Sequence, residues 1–235
     1  MTPSEHDAVI TRCREVQRRI VEACDRSSRR PDEVRLIGAG KRQDLERLRA
    51  AYEAGLRAFG ENQVQEAIVH GAELADDIDW HLIGPLQSNK ARSAAAFFST
   101  IQSIDRIKIA RVLERQATRL GRTLDAFLEV NLGGEPTKHG FAPSALEEGL
   151  DDLADLENIR IVGLMAIPPM AESPEQSRRW FAELRRLRDR FFSLPSWNGR
   201  PGYLSMGMSA DFEIAIEEGA THVRVGTALF GARAS

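Results

Sequence analysis

Apolar residues first recur along the chain at helical spacing. Val9, Cys13, Val16, Ile20 and Cys24 follow one another at three- and four-residue steps, which stacks them on one face of an α-helix and predicts a helix over residues 5–25. Beyond it the pattern alternates. Eight short apolar or β-branched runs stand out: VRLIGAG (34–40), RAFG (57–60), WHLIG (80–84), TIQSI (100–104), AFLEVNL (126–132), IRIVGLMAI (159–167), GYLSMG (202–207) and HVRVG (222–226). Longer stretches with helical spacing and charged faces, such as LERLRAAYEAG and RIKIARVLERQATRLG, separate them. Repeated strand-then-helix order requires parallel strands joined by helical crossovers, hence an open doubly wound sheet or a closed barrel. Eight repeats favour closure. The Pro-rich segment AIPPMAESPEQ (166–176) reads as a loop, and no low-complexity linker breaks the pattern. The expectation is an α/β protein, a single (β/α)8 TIM-barrel domain over 1–235 with an extra N-terminal helix.

Composition narrows the function classes. The 235 residues are 42% hydrophobic and 29% charged, with a net charge of −3, which describes an ordinary globular chain rather than a nucleic-acid-coating one and predicts no large basic face. RSSRR (26–30) reads as a solvated helix end. Cys13 and Cys24, eleven residues apart within one helical pattern, suit neither a metal site nor a disulfide framework, so both are expected reduced and structural. No apolar run reaches the roughly 20 residues that span a bilayer, and the N-terminus lacks a signal-peptide layout. A cytoplasmic address with no membrane or nucleic-acid partner, and a monomer, is expected.

In such barrels, ligand groups sit at the carboxyl ends of strands and in the loops that follow. Lys41 lies at the first such end. Side chains alternate along a strand, so Ile37, Ala39 and Lys41 share one face while Gly38 and Gly40 share the other; if the first face is interior, the lysine projects into the mouth. Phosphate-loop and dinucleotide patterns both fail, because Arg35, Arg42 and Gln43 stand where those motifs need glycine, Ser or Thr, and a third glycine. Near the other end, SMGMSAD places Gly207 and Ser209 before one helix, and VGTA places Gly226 and Thr227 before another. Loops after strands seven and eight commonly cradle a phosphate on backbone N–H groups. Arg224, inside a strand with valines on both sides, needs an acceptor: a carboxylate such as Glu61 or Glu129, or a heterocyclic ring nitrogen. Amine, phosphate cup and arginine together suit pyridoxal 5′-phosphate, with a Schiff base on Lys41, the phosphate in the cup and the ring nitrogen facing Arg224. A phosphosugar enzyme using Lys41 on a carbonyl substrate is the alternative from another class. His81 and His139 are expected near the rim, where they can assist the site, and His6, His70 and His222 in structural roles; Glu61 and Glu135 are read equally as site groups or as solvated loop charges.

FGENQVQEA, WHLIGPLQSNK, VNLGGEPTKHG, GLMAI and LSMGMSADFEIAIEEGATHVRVGTALFG resemble, in order and over nearly the whole chain, the pyridoxal-phosphate homeostasis proteins, the YggS-like family. The resemblance implies a fold-type III barrel related to the amino-terminal domain of alanine racemases, with the cofactor on a lysine after strand one and a role in intracellular cofactor buffering or delivery to PLP-dependent apoenzymes. By motif position it implies that Lys41 carries the cofactor, Asn62 lines it, Ser205, Met206, Ser209, Gly226 and Thr227 surround the phosphate, and Arg224 faces the ring nitrogen. One stretch departs: Arg42, Gln43 and Asp44 stand where members place a threonine soon after the lysine and a proline at the next helix start. The resemblance also implies that racemases need a second acid/base, usually a tyrosine presented with help from an added carboxyl-terminal β domain. This chain ends nine residues after Gly226, and its tyrosines, Tyr52 and Tyr203, fall in a helical pattern and at a strand start. A binding protein without a dedicated catalytic activity is therefore expected, with a slow amino-acid racemase as the alternative.

Overall fold

The computed structural model describes residues 3–149, 153–197 and 199–231; the ends of the expected 1–235 domain lie outside them. Eight strands form a closed barrel in chain order: β1 (Arg35–Ala39), β2 (Ala58–Glu61), β3 (Asp79–Leu82), β4 (Thr100–Ile104), β5 (Leu124–Glu129), β6 (Ile159–Met165), β7 (Tyr203–Ser205) and β8 (His222–Val225). Every neighbouring pair is parallel, and β1 closes the ring on β8 with Ile37 opposite Arg224. All eight apolar runs became strands. Their ends moved by no more than three residues, and the run 100–104 kept both of its ends.

Helix α1 (Pro3–Arg26) lies across the outside. It buries Val9, Cys13, Val16, Ile20 and Cys24, the face its spacing marks, at roughly 1.5–3 kcal/mol for a fully buried large aliphatic side chain. The helices of the repeats include α2 (Leu45–Glu53), α3 (Val64–Glu73), α4 (Ala91–Phe97), α5 (Ile107–Leu120), α6 (Pro143–Glu148), α7 (Arg178–Phe192), α8 (Phe212–Glu217) and α9 (Thr227–Phe230). Helix α1 packs on α2, α8 and α9, beside the seam where the barrel closes. RSSRR does more than end a helix: Arg29 donates to the carbonyls of Ile216 and Ala220, and Arg26 pairs with Glu217, tying α1 to α8. Both cysteines are free and buried, and burial pushes the Cys13 thiol up to about 11, leaving it inert as a nucleophile.

Alternation along β1 follows the sequence pattern. Ile37 is fully buried inside the ring and Ala39 and Lys41 line a cavity at its mouth, whereas Gly38 and Gly40 turn outward against Leu56 and Leu48 of the α2 layer. The glycines make room for a helix, not for a ligand.

Candidate functional site

The lysine is presented by a tight turn. The Gln43 N–H donates to the Gly40 carbonyl at 2.8 Å, and Arg42, third in that turn, takes φ +57°, a position ordinarily given to glycine or asparagine. Asp44 then accepts from the Arg47 N–H at 2.8 Å and caps α2, the work of an N-cap side chain. In this stretch an aspartate caps the helix that follows, and an arginine in the left-handed region stands beside the lysine.

Lys41 opens into a cavity of about 350 Å³ at the carboxyl ends of the strands. Of the eight residues expected there, Lys41, Asn62, Ser209, Arg224, Gly226 and Thr227 line it. Ile83, Ile167 and Met208 supply apolar walls, and no carboxylate lines the cavity. Asn62 is set by β2 and by Gly84 after β3, where a Cβ would run into the Asn62 backbone. Gly207 has φ +90°, and a Cβ there would lie 2.5 Å from that of Ala215; only glycine lets the β7 loop fold this tightly onto α8.

Ser209 does not cap the helix that follows it. Its Oγ accepts from the N–H groups of Gly226 and Ala228, both at 3.1 Å, so the β7 loop caps α9 from across the cavity. Loop and helix start form one cup, with the Thr227 hydroxyl exposed at its edge.

Ser205 and Met206 do not line the cavity. Both are fully buried beneath it, Met206 in the apolar core and Ser205 in a polar relay. Arg224, 4% exposed, donates from Nη1 to Ser205 Oγ at 2.6 Å and from Nη2 to the Ala166 carbonyl at 2.9 Å. Neither carboxylate weighed for it hydrogen-bonds to it: Glu61, fully buried rather than solvated, points to the helix layer and meets His70 at 3.0 Å, Glu129 acts on it through charge alone, and the hydrogen bonds of Arg224 go to a hydroxyl and a carbonyl. Burial pushes the Arg224 guanidinium down to about 10, against the charges of Glu129 and Asp211, so it remains a cation at neutral pH. Burial likewise raises the Glu61 carboxyl, and the hydrogen bond that His70 donates to Glu61 raises His70.

From Arg224 the relay runs down the barrel interior. A guanidinium only donates, so Ser205 Oγ must donate onward, to Gln102 Oε1 at 2.7 Å. The Gln102 amide nitrogen then faces His81 Nδ1 at 2.9 Å, which must accept. His81 therefore carries its proton on Nε2, 3.1 Å from Asp79 Oδ2. His81 thus sits at the barrel floor rather than the rim. It lines a cavity of about 680 Å³ there with His222 and Tyr203, while His139 is at the mouth as expected. Gln102 was legible on the same ground as Arg224, a polar side chain inside an apolar strand.

Residues 39–234 match the family described as alanine racemase, N-terminal domain. Curated relatives named pyridoxal phosphate homeostasis protein include one from Aquifex aeolicus, 43% identical over 93% of this chain and 95% of its own, and one from Pseudomonas aeruginosa, 47% identical over 93% of each. The structure of PipY from Synechococcus elongatus, solved with PLP bound, is 41% identical with a TM-score of 0.80, covering 90% of this chain and 100% of that one. Alanine racemase from Bartonella henselae, 13% identical, superposes with a TM-score of 0.72 over 98% of this chain and 61% of that one, a likeness of fold alone. With such identity spread over nearly the whole length, the chain belongs to the pyridoxal phosphate homeostasis protein family, built on the barrel of the alanine racemase N-terminal domain.

Proposed function

We propose that this protein binds pyridoxal 5′-phosphate at the barrel mouth, anchored on Lys41, and serves in the cell to hold the cofactor and hand it on to apoenzymes that need it. The carrying observation is that an amine without a side-chain partner among the described residues, and a cup in which Ser209 Oγ takes the Gly226 and Ala228 N–H groups and keeps its own O–H to donate beside the Thr227 hydroxyl, line one cavity with no carboxylate among its described residues. A doubly charged phosphate requires such donors and tolerates no anion beside it. When bound, the cofactor supplies an aldehyde that condenses with a primary amine and a ring that withdraws electrons from what it carries.

The chain's own residues then have separate tasks. Lys41 is the anchor. Ser209, Gly226 and Thr227 hold the phosphate, and the apolar walls of Ile83, Ile167 and Met208 exclude water from the ring, with Asn62 at its edge. Ser205 and Met206 act from below, Ser205 by fixing Arg224. Arg224 has N–H groups beyond the two it gives to Ser205 and Ala166, so it can donate to a ring nitrogen. It does not pass its proton on, which keeps the ring a weak electron sink and suits storage over turnover. The racemase alternative gains nothing from the site: Tyr52 donates to Asp77 on the outer layer, and Tyr203 lines the floor cavity.

Incubation with the cofactor, reduction by borohydride and peptide mass mapping should place one label, on Lys41. A label on another lysine, or none, overturns the proposal.

A further inference from the structure

The mouth holds a second cavity, of about 470 Å³, which shares Lys41 and Asn62 with the first. Lys41 and Arg42 from the β1 turn meet Lys90 after β3, Arg106 after β4 and His139 after β5 on its walls, and again no carboxylate lines it. These basic side chains come from four separate loops, so no run of the sequence announces them. Their charge is only partly compensated. Arg106 and His139 both reach the single, nearly buried carboxylate of Asp105, at 2.6 and 3.2 Å. The side chains of Lys41, Arg42 and Lys90 have no hydrogen bond or ion pair among the described residues.

Three uncompensated cations around one recess, in a chain whose net charge is −3, make a local positive field that a mobile anion would relieve. The backbone adds a second observation. Arg42 is held at φ +57°, which costs an L-residue with a Cβ about 1–2 kcal/mol, and such strain collects where a side chain is held for use. The amide side chains of Gln63 and Gln87 add neutral hydrogen-bonding groups to the same wall.

We infer that this basic cavity is an anion site distinct from the phosphate cup. It takes a small, multiply charged molecule, a phosphate ester or a polycarboxylate, whose anionic end is held by Arg42, Lys90 and Arg106 while the remainder reaches the Lys41 amine. This deepens the cofactor reading and rests on it for the role of Lys41: a second ligand is seated beside the anchor, in a cavity that neither Arg224 nor the cup lines.

The test is calorimetric titration at low ionic strength with inorganic pyrophosphate and with citrate, on protein with and without added pyridoxal 5′-phosphate. Wild type should bind at least one probe in both states, and the preferred probe tells the phosphate class from the polycarboxylate class. With pyridoxal 5′-phosphate present to fill the cup, Lys90→Ala/Arg106→Ala should weaken binding roughly tenfold or more, Lys90→Gln alone should give a smaller loss, and Arg160→Ala, which pairs with Asp125 at the other end of the barrel, should leave it unchanged. No binding by wild type, an unaltered double variant, or an equal loss in Arg160→Ala overturns the inference. Borohydride labelling on the same samples separates the two proposals: label at Lys41 without probe binding sinks this one alone, and probe binding without label sinks the cofactor reading alone.

Discussion

The two ends of the barrel carry cavities of opposite character. The floor cavity is the larger, about 680 Å³ against about 350 and 470 Å³ at the mouth, yet its charges are closed among themselves. Arg35 meets Asp79 at 2.5 Å, Arg29 meets Glu33 at 3.3 Å, Arg160 meets Asp125 at 2.7 Å, and Arg188 donates to the Gly202 carbonyl at 2.6 Å. At the mouth, the side chains of Lys41, Arg42 and Lys90 have no such partners among the described residues, and no described carboxylate lines the cavities they share, Glu129 entering only a smaller neighbouring cavity of about 240 Å³. Volume alone selects the wrong end. Unpaired charge of one sign distinguishes a surface built for a ligand from one built for stability.

The relay from Arg224 to Asp79 joins the two ends, and breaking it gives the largest expected effect on stability. Arg224→Leu leaves Ser205 Oγ and the Ala166 carbonyl without their donor inside the barrel, a loss of about 2–4 kcal/mol, read as a lowered denaturation midpoint. If the variant is as stable as wild type, the relay is not a structural element and the contrast between the ends weakens.

A middle-sized effect sits at the floor. Burial above all, with the charges of Arg35 and Arg224 adding to it, pushes His222 down to about 3. The unfolded chain takes up a proton near pH 6.5 that the folded chain refuses, so this contribution to stability is complete above about pH 6.5 and is lost as pH falls towards 3. His222→Phe, among Phe127 and Tyr203, should flatten the decline in that window, measured by denaturant unfolding at pH 7.5, 5.5 and 4. An unchanged slope assigns the acid sensitivity elsewhere.

The smallest effect is at the mouth. Arg42→Gly relieves the left-handed backbone but frees the unfolded chain, for a net stabilisation of about 0.5 kcal/mol. A clear destabilisation in the denaturation midpoint would show that the side chain holds the turn together.

How much of this the sequence discloses depends on distance along the chain. The eight strands are legible because each burial pattern is local, and Lys41 because alternation within one strand fixes its side. Arg224 announces itself by sitting between two valines. Which groups it joins is not legible: Ser205, Gln102 and His81 come from three other strands, and only ring closure brings them together. Glu61 reads as a loop charge because its next residues are polar, whereas the helix opposite supplies His70. The basic cavity is hidden for the same reason, its basic side chains coming from four loops, each unremarkable by itself.

The central claim is that the Lys41 amine and the cup between the β7 and β8 loops act on one molecule. Parallel titration of wild type with pyridoxal 5′-phosphate and with pyridoxal, each followed by borohydride reduction, tests it directly. The account predicts Lys41 labelling by the phosphorylated form at concentrations at least about a hundredfold lower, a gap of roughly 2.7 kcal/mol, narrowed by Ser209→Ala. Equal labelling by both forms would contradict it.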